Sequence, residues 1–152
     1  MNAQKYTLFM EEEHTFTYNR TLTDPQEVYT FLTDALKLDK RPEEHFVILT
    51  LDNHNNIIGV FDNTCGGVSA CEFSSSAVFK AALMSNATAI IVAHNHPSGD
   101  PNPSQADNNT TEVLHTCGLY LGVPVVDHLI IGHNGQYFDY GMQTSILDRH
   151  TL

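Results

Sequence analysis

Apolar residues along this chain fall into short dense runs separated by polar turns, and the rhythm within each run names an element. Asp24-Pro25-Gln26-Glu27 opens a helix, with Asp as N-cap, Pro at the first helical position and Glu at the third. Val28, Phe31, Leu32, Ala35 and Leu36 then recur at helical spacing, and the helix is expected to end before Arg41-Pro42. Residues 46–51 form a continuous apolar run that reads as a buried strand, 52–56 the turn behind it and 57–61 the return strand of a hairpin. A short strand is expected over 68–73, after Gly66-Gly67. Ser74-Ser75-Ser76 can cap a second helix carrying Val78, Phe79, Ala82 and Leu83. Residues 87–93 are apolar enough for a central strand. Pro97, Gly99, Pro101 and Pro103 make 97–103 a stiff, non-helical loop. A third helix is predicted from about Ser104 to Tyr120, ending near Gly122. A strand over 125–131, a Gly-rich turn over 132–135 and a short strand over 136–140 follow, and the last dozen residues carry no readable pattern.

This alternation predicts an α/β fold, a mixed sheet flanked by helices on both faces. Residues 1–22, polar with interspersed Tyr, Phe and Thr, read as an N-terminal extension or an added edge strand, and 23–152 as one domain. A length of 152 residues suffices for a hydrophobic core without covalent staples.

Charge narrows the function classes. Eighteen acidic against seven basic residues give a formal net charge of -11, with no Lys/Arg cluster to offset it. Such a field repels phosphate backbones and argues against direct nucleic-acid binding. Cys65, Cys71 and Cys117 are odd in number and form no CxxC pair, which fits a reducing cytoplasm better than a disulfide framework. Glu11-Glu12-Glu13 stands where a secretory signal would need an apolar core, and no apolar run approaches a membrane span. A cytoplasmic protein is therefore expected.

The chemistry concentrates in one stretch. His94-Asn95-His96-Pro97-Ser98-Gly99, followed by Ser104-Gln105-Ala106-Asp107, sets two imidazoles, a hydroxyl and a carboxylate at the end of an apolar run. Residues i and i+2 of an extended segment face the same side, so His94 and His96 can converge on one ion, and Asp107 can fold back as a third ligand. Three such ligands leave the fourth position of a zinc ion open, the arrangement of catalytic sites. Ser104-x-x-Asp107 is equally a helix capping box, and both readings can hold at once.

The string His94-x-His96, seven intervening residues, then Ser104-x-x-Asp107 resembles the JAMM motif of the JAB/MPN+ metalloprotease superfamily. The longer run from His94 through Asp107, with Gly118 to Gly122 and Val126-Asp127-His128-x-Ile130-Ile131-Gly132, is similar to the RadC family within it. The resemblance extends from about Asp24 to Tyr140. It implies a JAB/MPN, cytidine-deaminase-like fold and a Zn2+ cofactor held by His94, His96 and Asp107. It also implies hydrolysis of a peptide or isopeptide bond in a peptide or protein substrate by metal-activated water. Glu44, directly before the run 46–51, matches the superfamily's glutamate general base, with Glu43 as its rival. Ser104 matches the residue that steadies the tetrahedral intermediate. Asn95 departs from eukaryotic relatives, which often carry Ser or Thr there. The family's usual helix-hairpin-helix region is expected to be absent ahead of the domain, which would make the family's association with DNA repair a poor guide.

Two other readings differ in class: a non-catalytic zinc-containing binding module, and a DNA-repair-associated accessory protein, which the net charge opposes. Asp127-His128 could support the zinc ligands, contact substrate or be merely structural. His115 reads as a surface residue and Cys117 as a small core residue. Cys65 lacks an activating neighbour, and His14, His45, His54, His133 and His150 have no partner pattern.

Overall fold

The computed structural model describes Leu22 and residues 24–64 and 74–147. The expected strand over 68–73, all but the last residue of the 1–22 extension, and Cys65 lie outside the described residues. Helix α1 (Pro25–Asp34) begins as the sequence implies, the Asp24 carboxylate accepting from the Glu27 N–H at 2.9 Å. It stops earlier than its apolar stripe. Lys37 adopts φ 55, a left-handed break, and a single 3-10 turn, Leu38–Lys40, follows. The break lets both Leu36 and Leu38 enter the core, and the Arg41 guanidinium donates to the Leu36 carbonyl at 3.2 and 3.1 Å.

Strands β1 (His45–Leu51) and β2 (Ile57–Thr64) form the expected hairpin. Helix α2 (Ser75–Met84) leads to β3 (Ala89–Asn95), which sits two residues later than the apolar run predicts. After the left-handed Asn86 at φ 53, the Ala87 N–H still donates to the Ala82 carbonyl of α2 at 3.0 Å. The helix exit thus takes up the start of that run, and pairing with β1 begins at Ala89 opposite Leu51. Helix α3 (Gln105–Leu121) ends on Gly122 at φ 68, in the left-handed conformation that glycine adopts without strain. Strands β4 (Val125–Ile131) and β5 (Tyr137–Asp139) and the short helix α4 (Tyr140–Gln143) complete the described chain.

The five strands form one mixed sheet in the order β2-β1-β3-β4-β5. Only the β3–β4 pair is parallel. Alternation assigns each strand residue to a face. Val47, Leu49, Ala89, Ile91, Ala93, Leu129 and Ile131 pack under α1, while Phe46, Ile48, Ile90, Val92 and Ile130 pack under α2, α3 and Tyr140. One irregularity matters. The β3–β4 register slips between Ile90/Val125 and Ile91/Asp127, leaving Val126 as the extra residue of a bulge. The bulge resets the alternation, so Val125 shares the α3 face with Ile130, two residues beyond His128.

Where β4 meets α4, two buried carboxyls lie together. Asp127 accepts from the backbone N–H groups of His128 and Gly141 at 2.8 and 3.1 Å, and Asp139 caps α4 through the Met142 N–H at 2.9 Å. Burial first, then the adjacent Asp139, pushes the Asp127 carboxyl well above the ordinary carboxylate range.

Candidate metal centre

Even-numbered residues of β3 face α3, and the last of them in the strand is His94. His96 follows just beyond the strand, its backbone N–H donating to the Ile131 carbonyl at 3.0 Å. Asp107 approaches from the first turn of α3. His94 Nε2 and His96 Nε2 lie 3.0 Å apart, Asp107 Oδ1 is 3.2 Å from the former, and Oδ2 is 3.5 Å from the latter. A tetrahedral ion with ~2 Å bonds would set its ligand atoms about 3.3 Å apart, so the three side chains fit such an ion. Among the described residues they form the one group of histidine, cysteine or acidic side chains able to hold a metal.

Each of the three side chains is fixed from behind. His96 Nδ1 donates to the Asp100 carbonyl at 2.7 Å, which leaves its Nε2 facing the site. The loop that supplies this carbonyl is anchored at its glycines. His133 N–H donates to the Gly99 carbonyl at 3.0 Å, and a Cβ on Gly132 would lie 2.5 Å from that same oxygen, so no side chain fits there. His94 Nδ1 is 2.9 Å from His128 Nε2. Asp107 is held by the capping box: the Ser104 hydroxyl and backbone N–H both donate to Oδ2, at 2.6 and 2.7 Å.

Electrostatics follow the geometry. Burial pushes the Asp107 carboxyl up, but His94, His96 and Ser104 outweigh it and hold the group well below the usual carboxylate range. The bond to Asp107 raises His96 above its ordinary value against the effect of burial, and the Asp100 carbonyl and the charges of Asp107 and Glu44 add to the rise. Burial, followed by the charge of His94, holds His128 well below its ordinary value.

Glu44 stands at the entrance to β1, half-buried and near enough for its charge to act on His96, whereas Glu43 is exposed. The neighbour that fixes this segment is Asn95. Its side chain accepts from the His45 N–H at 2.8 Å and donates to the carbonyls of Glu43 and Arg41 at 3.0 and 3.3 Å. Asn95 thus ties the strand of the histidines to the segment that carries Glu44. Ser104 is exposed at the rim, with its hydroxyl hydrogen committed to Asp107.

Several residues without a role in the sequence acquire one here. Thr111 lies one turn beyond Asp107 and contacts His128, a placement that i to i+4 spacing on α3 could have indicated. His45 is buried and bonds Asp62 at 2.7 Å. Full burial rules out substrate contact by His128 and leaves it as a neighbour of His94. His115, expected at the surface, is half-buried with its Nδ1 enclosed. Cys117 packs at the margin of the α3-side core.

Comparison with known proteins agrees with this architecture. The family model of the RadC-like JAB domain matches residues 22–144. A UPF0758 protein of Methanosarcina mazei is 37% identical over 135 residues, covering 89% of this chain and 56% of the relative. A UPF0758 protein of Clostridium novyi is 38% identical over 113 residues, covering 74% and 49%. One from Staphylococcus aureus is 41% identical over 116 residues, covering 74% and 51%. The chain therefore spans about half the length of the curated relatives it matches. No helix among the described residues is long and apolar enough to cross a membrane.

Proposed function

This chain belongs to the RadC-like JAB domain family, and from that premise we propose that it is a zinc-dependent hydrolase of peptide or isopeptide bonds. The observation that carries the reading is the convergence of His94, His96 and Asp107 beside a half-buried glutamate. A zinc ion there would supply Lewis acidity toward the scissile carbonyl and make water acidic enough to ionise near neutral pH. Glu44 takes the proton of the attacking water as oxygen adds to the carbonyl carbon. It then delivers that proton to the leaving nitrogen as the C–N bond breaks. Ser104, at the exposed rim, donates to the developing oxyanion once its hydroxyl turns away from Asp107. The substrate class is a peptide or protein, in keeping with a surface whose charge of -11 disfavours nucleic acid.

The test is a screen of peptide and isopeptide substrates with zinc-loaded protein, wild type beside Glu44→Gln. The reading expects zinc-dependent cleavage that falls by about 100-fold or more in the variant, with zinc retained. Cleavage unchanged in Glu44→Gln, or loss of its metal, would overturn the assignment of Glu44. Bound zinc with no cleavage by the wild type would favour a binding module.

A further inference from the structure

We infer that Thr111 and His128 are positioning residues that hold His94 in the tautomer whose Nε2 lone pair faces His96 and Asp107. The inference deepens the proposed metal site and rests on that reading only for its consequence in affinity.

It follows from counting hydrogens. Thr111 Oγ1 lies 2.7 Å from the Asp107 carbonyl oxygen and 2.7 Å from His128 Nδ1. A hydroxyl has one hydrogen, and a carbonyl can only accept, so that hydrogen points to Asp107. The contact with His128 must then be made by a hydrogen on Nδ1. His128 is wholly buried, both ring nitrogens are spent on Thr111 and His94, and a charged ring there would be costly. A neutral imidazole with Nδ1–H has a bare Nε2, which at 2.9 Å can only accept from His94 Nδ1. His94 therefore carries its hydrogen on Nδ1 and offers Nε2 to an ion.

Packing holds the His128 ring in the orientation that sets Nδ1 toward Thr111 and Nε2 toward His94, since a flipped ring would set carbons there instead. His128 stacks on Tyr140 at 4.9 Å between centroids and 11° between planes, with the Phe46 ring edge-on at 6.0 Å. The Tyr140 hydroxyl is itself fixed by donating to Asn108 Oδ1 at 2.7 Å. The chain of bonds thus runs from one metal ligand to the backbone of another: His94, His128, Thr111, Asp107. Outer partners of this kind typically govern metal affinity by 10- to 100-fold.

The experiment uses 15N-labelled protein without metal, at mildly alkaline pH, and reads the tautomer of each histidine from long-range 1H–15N spectra. Zinc affinity is then measured by chelator competition on the same samples. In the wild type His94 and His128 should both be Nδ1–H tautomers. Thr111→Val, which removes the hydroxyl but keeps the shape, should admit the Nε2–H form of His94 and weaken zinc by about 10- to 100-fold. Thr111→Ser should restore both readouts. His128→Gln should also preserve the His94 tautomer, since the amide oxygen accepts from Nδ1 while its nitrogen donates to Thr111. An Nε2–H tautomer of His94 in the wild type would overturn the inference. So would a folded Thr111→Val protein with unchanged tautomer and affinity. A wild type that binds no zinc yet shows the expected tautomers would refute the proposed hydrolase and leave the relay standing.

Discussion

The two faces of the sheet share the same strands and the same alternation, yet they diverge at the end of β3. Under α1 the inward residues are apolar almost throughout, from Val47 and Leu49 to Ala93 and Ile131. Under α3 the row Ile90, Val92 continues into His94 and meets His128, Thr111 and Tyr140. The first face only packs. The second exchanges apolar contact for directed hydrogen bonds where β3 and β4 run parallel, the carboxyl end at which open α/β sheets place their ligands. Both sides of the sheet thus carry buried apolar packing, while the candidate metal site sits on one side only, with Asn95 the residue that links the two.

If that division holds, substitutions on the two faces should fail in different ways. Leu49→Ala, on the α1 face, should cost about 2–5 kcal/mol in denaturant unfolding while the folded protein keeps its zinc stoichiometry. Asp107→Ala, on the other side, should cost only about 1 kcal/mol through the lost capping box and yet abolish zinc binding. Equal losses of stability from both would erase the distinction.

Asn95 sharpens the comparison because it serves both sides. Asn95→Ala leaves the His45 N–H and two carbonyls without their side-chain partner, a loss of about 1–3 kcal/mol. Zinc binding should survive, and cleavage should fall through kcat as Glu44 loses its fixed position. Metal loss in this variant would show that Asn95 supports the ligands themselves.

The pair Asp127–Asp139 makes a prediction about pH. With its pKa raised by folding, Asp127 holds its proton at a pH where the unfolded chain has released it, so it contributes a stability that falls as pH rises from about 4 toward neutrality. Asp127→Asn can accept the same two backbone N–H groups and donate to Asp139, so its stability should decline less over that window. An identical slope in variant and wild type would show that folding does not raise the Asp127 carboxyl. The smallest effect is expected at Tyr120, which is 88% exposed on α3: Tyr120→Ser should change stability by no more than about 0.5 kcal/mol.

Much of this was legible in the chain. Continuous apolar runs gave β1 and β4, Asp24 and Gly122 marked a helix start and a helix end, and the His94–Asp107 string carried the family resemblance. What escaped depended on contacts between distant segments. Nothing around Lys37 announces a left-handed break inside an apolar stripe, because the gain comes from seating Leu36 and Leu38 together. The bulge at Val126 is defined only by its pairing with β3. Asn95 read as a mere departure between two histidines, since its partners lie some fifty residues earlier. Thr111 drew no reading from the sequence, because its bond to His128 joins α3 to β4.

The measurement that bears most directly on the central claim is the zinc content per folded chain after zinc loading and desalting, wild type beside His96→Ala and Asp107→Ala. The account predicts about one zinc in the wild type and essentially none in either variant, with all three proteins folded. A wild type that retains no zinc, or variants that retain as much as the wild type, would contradict it.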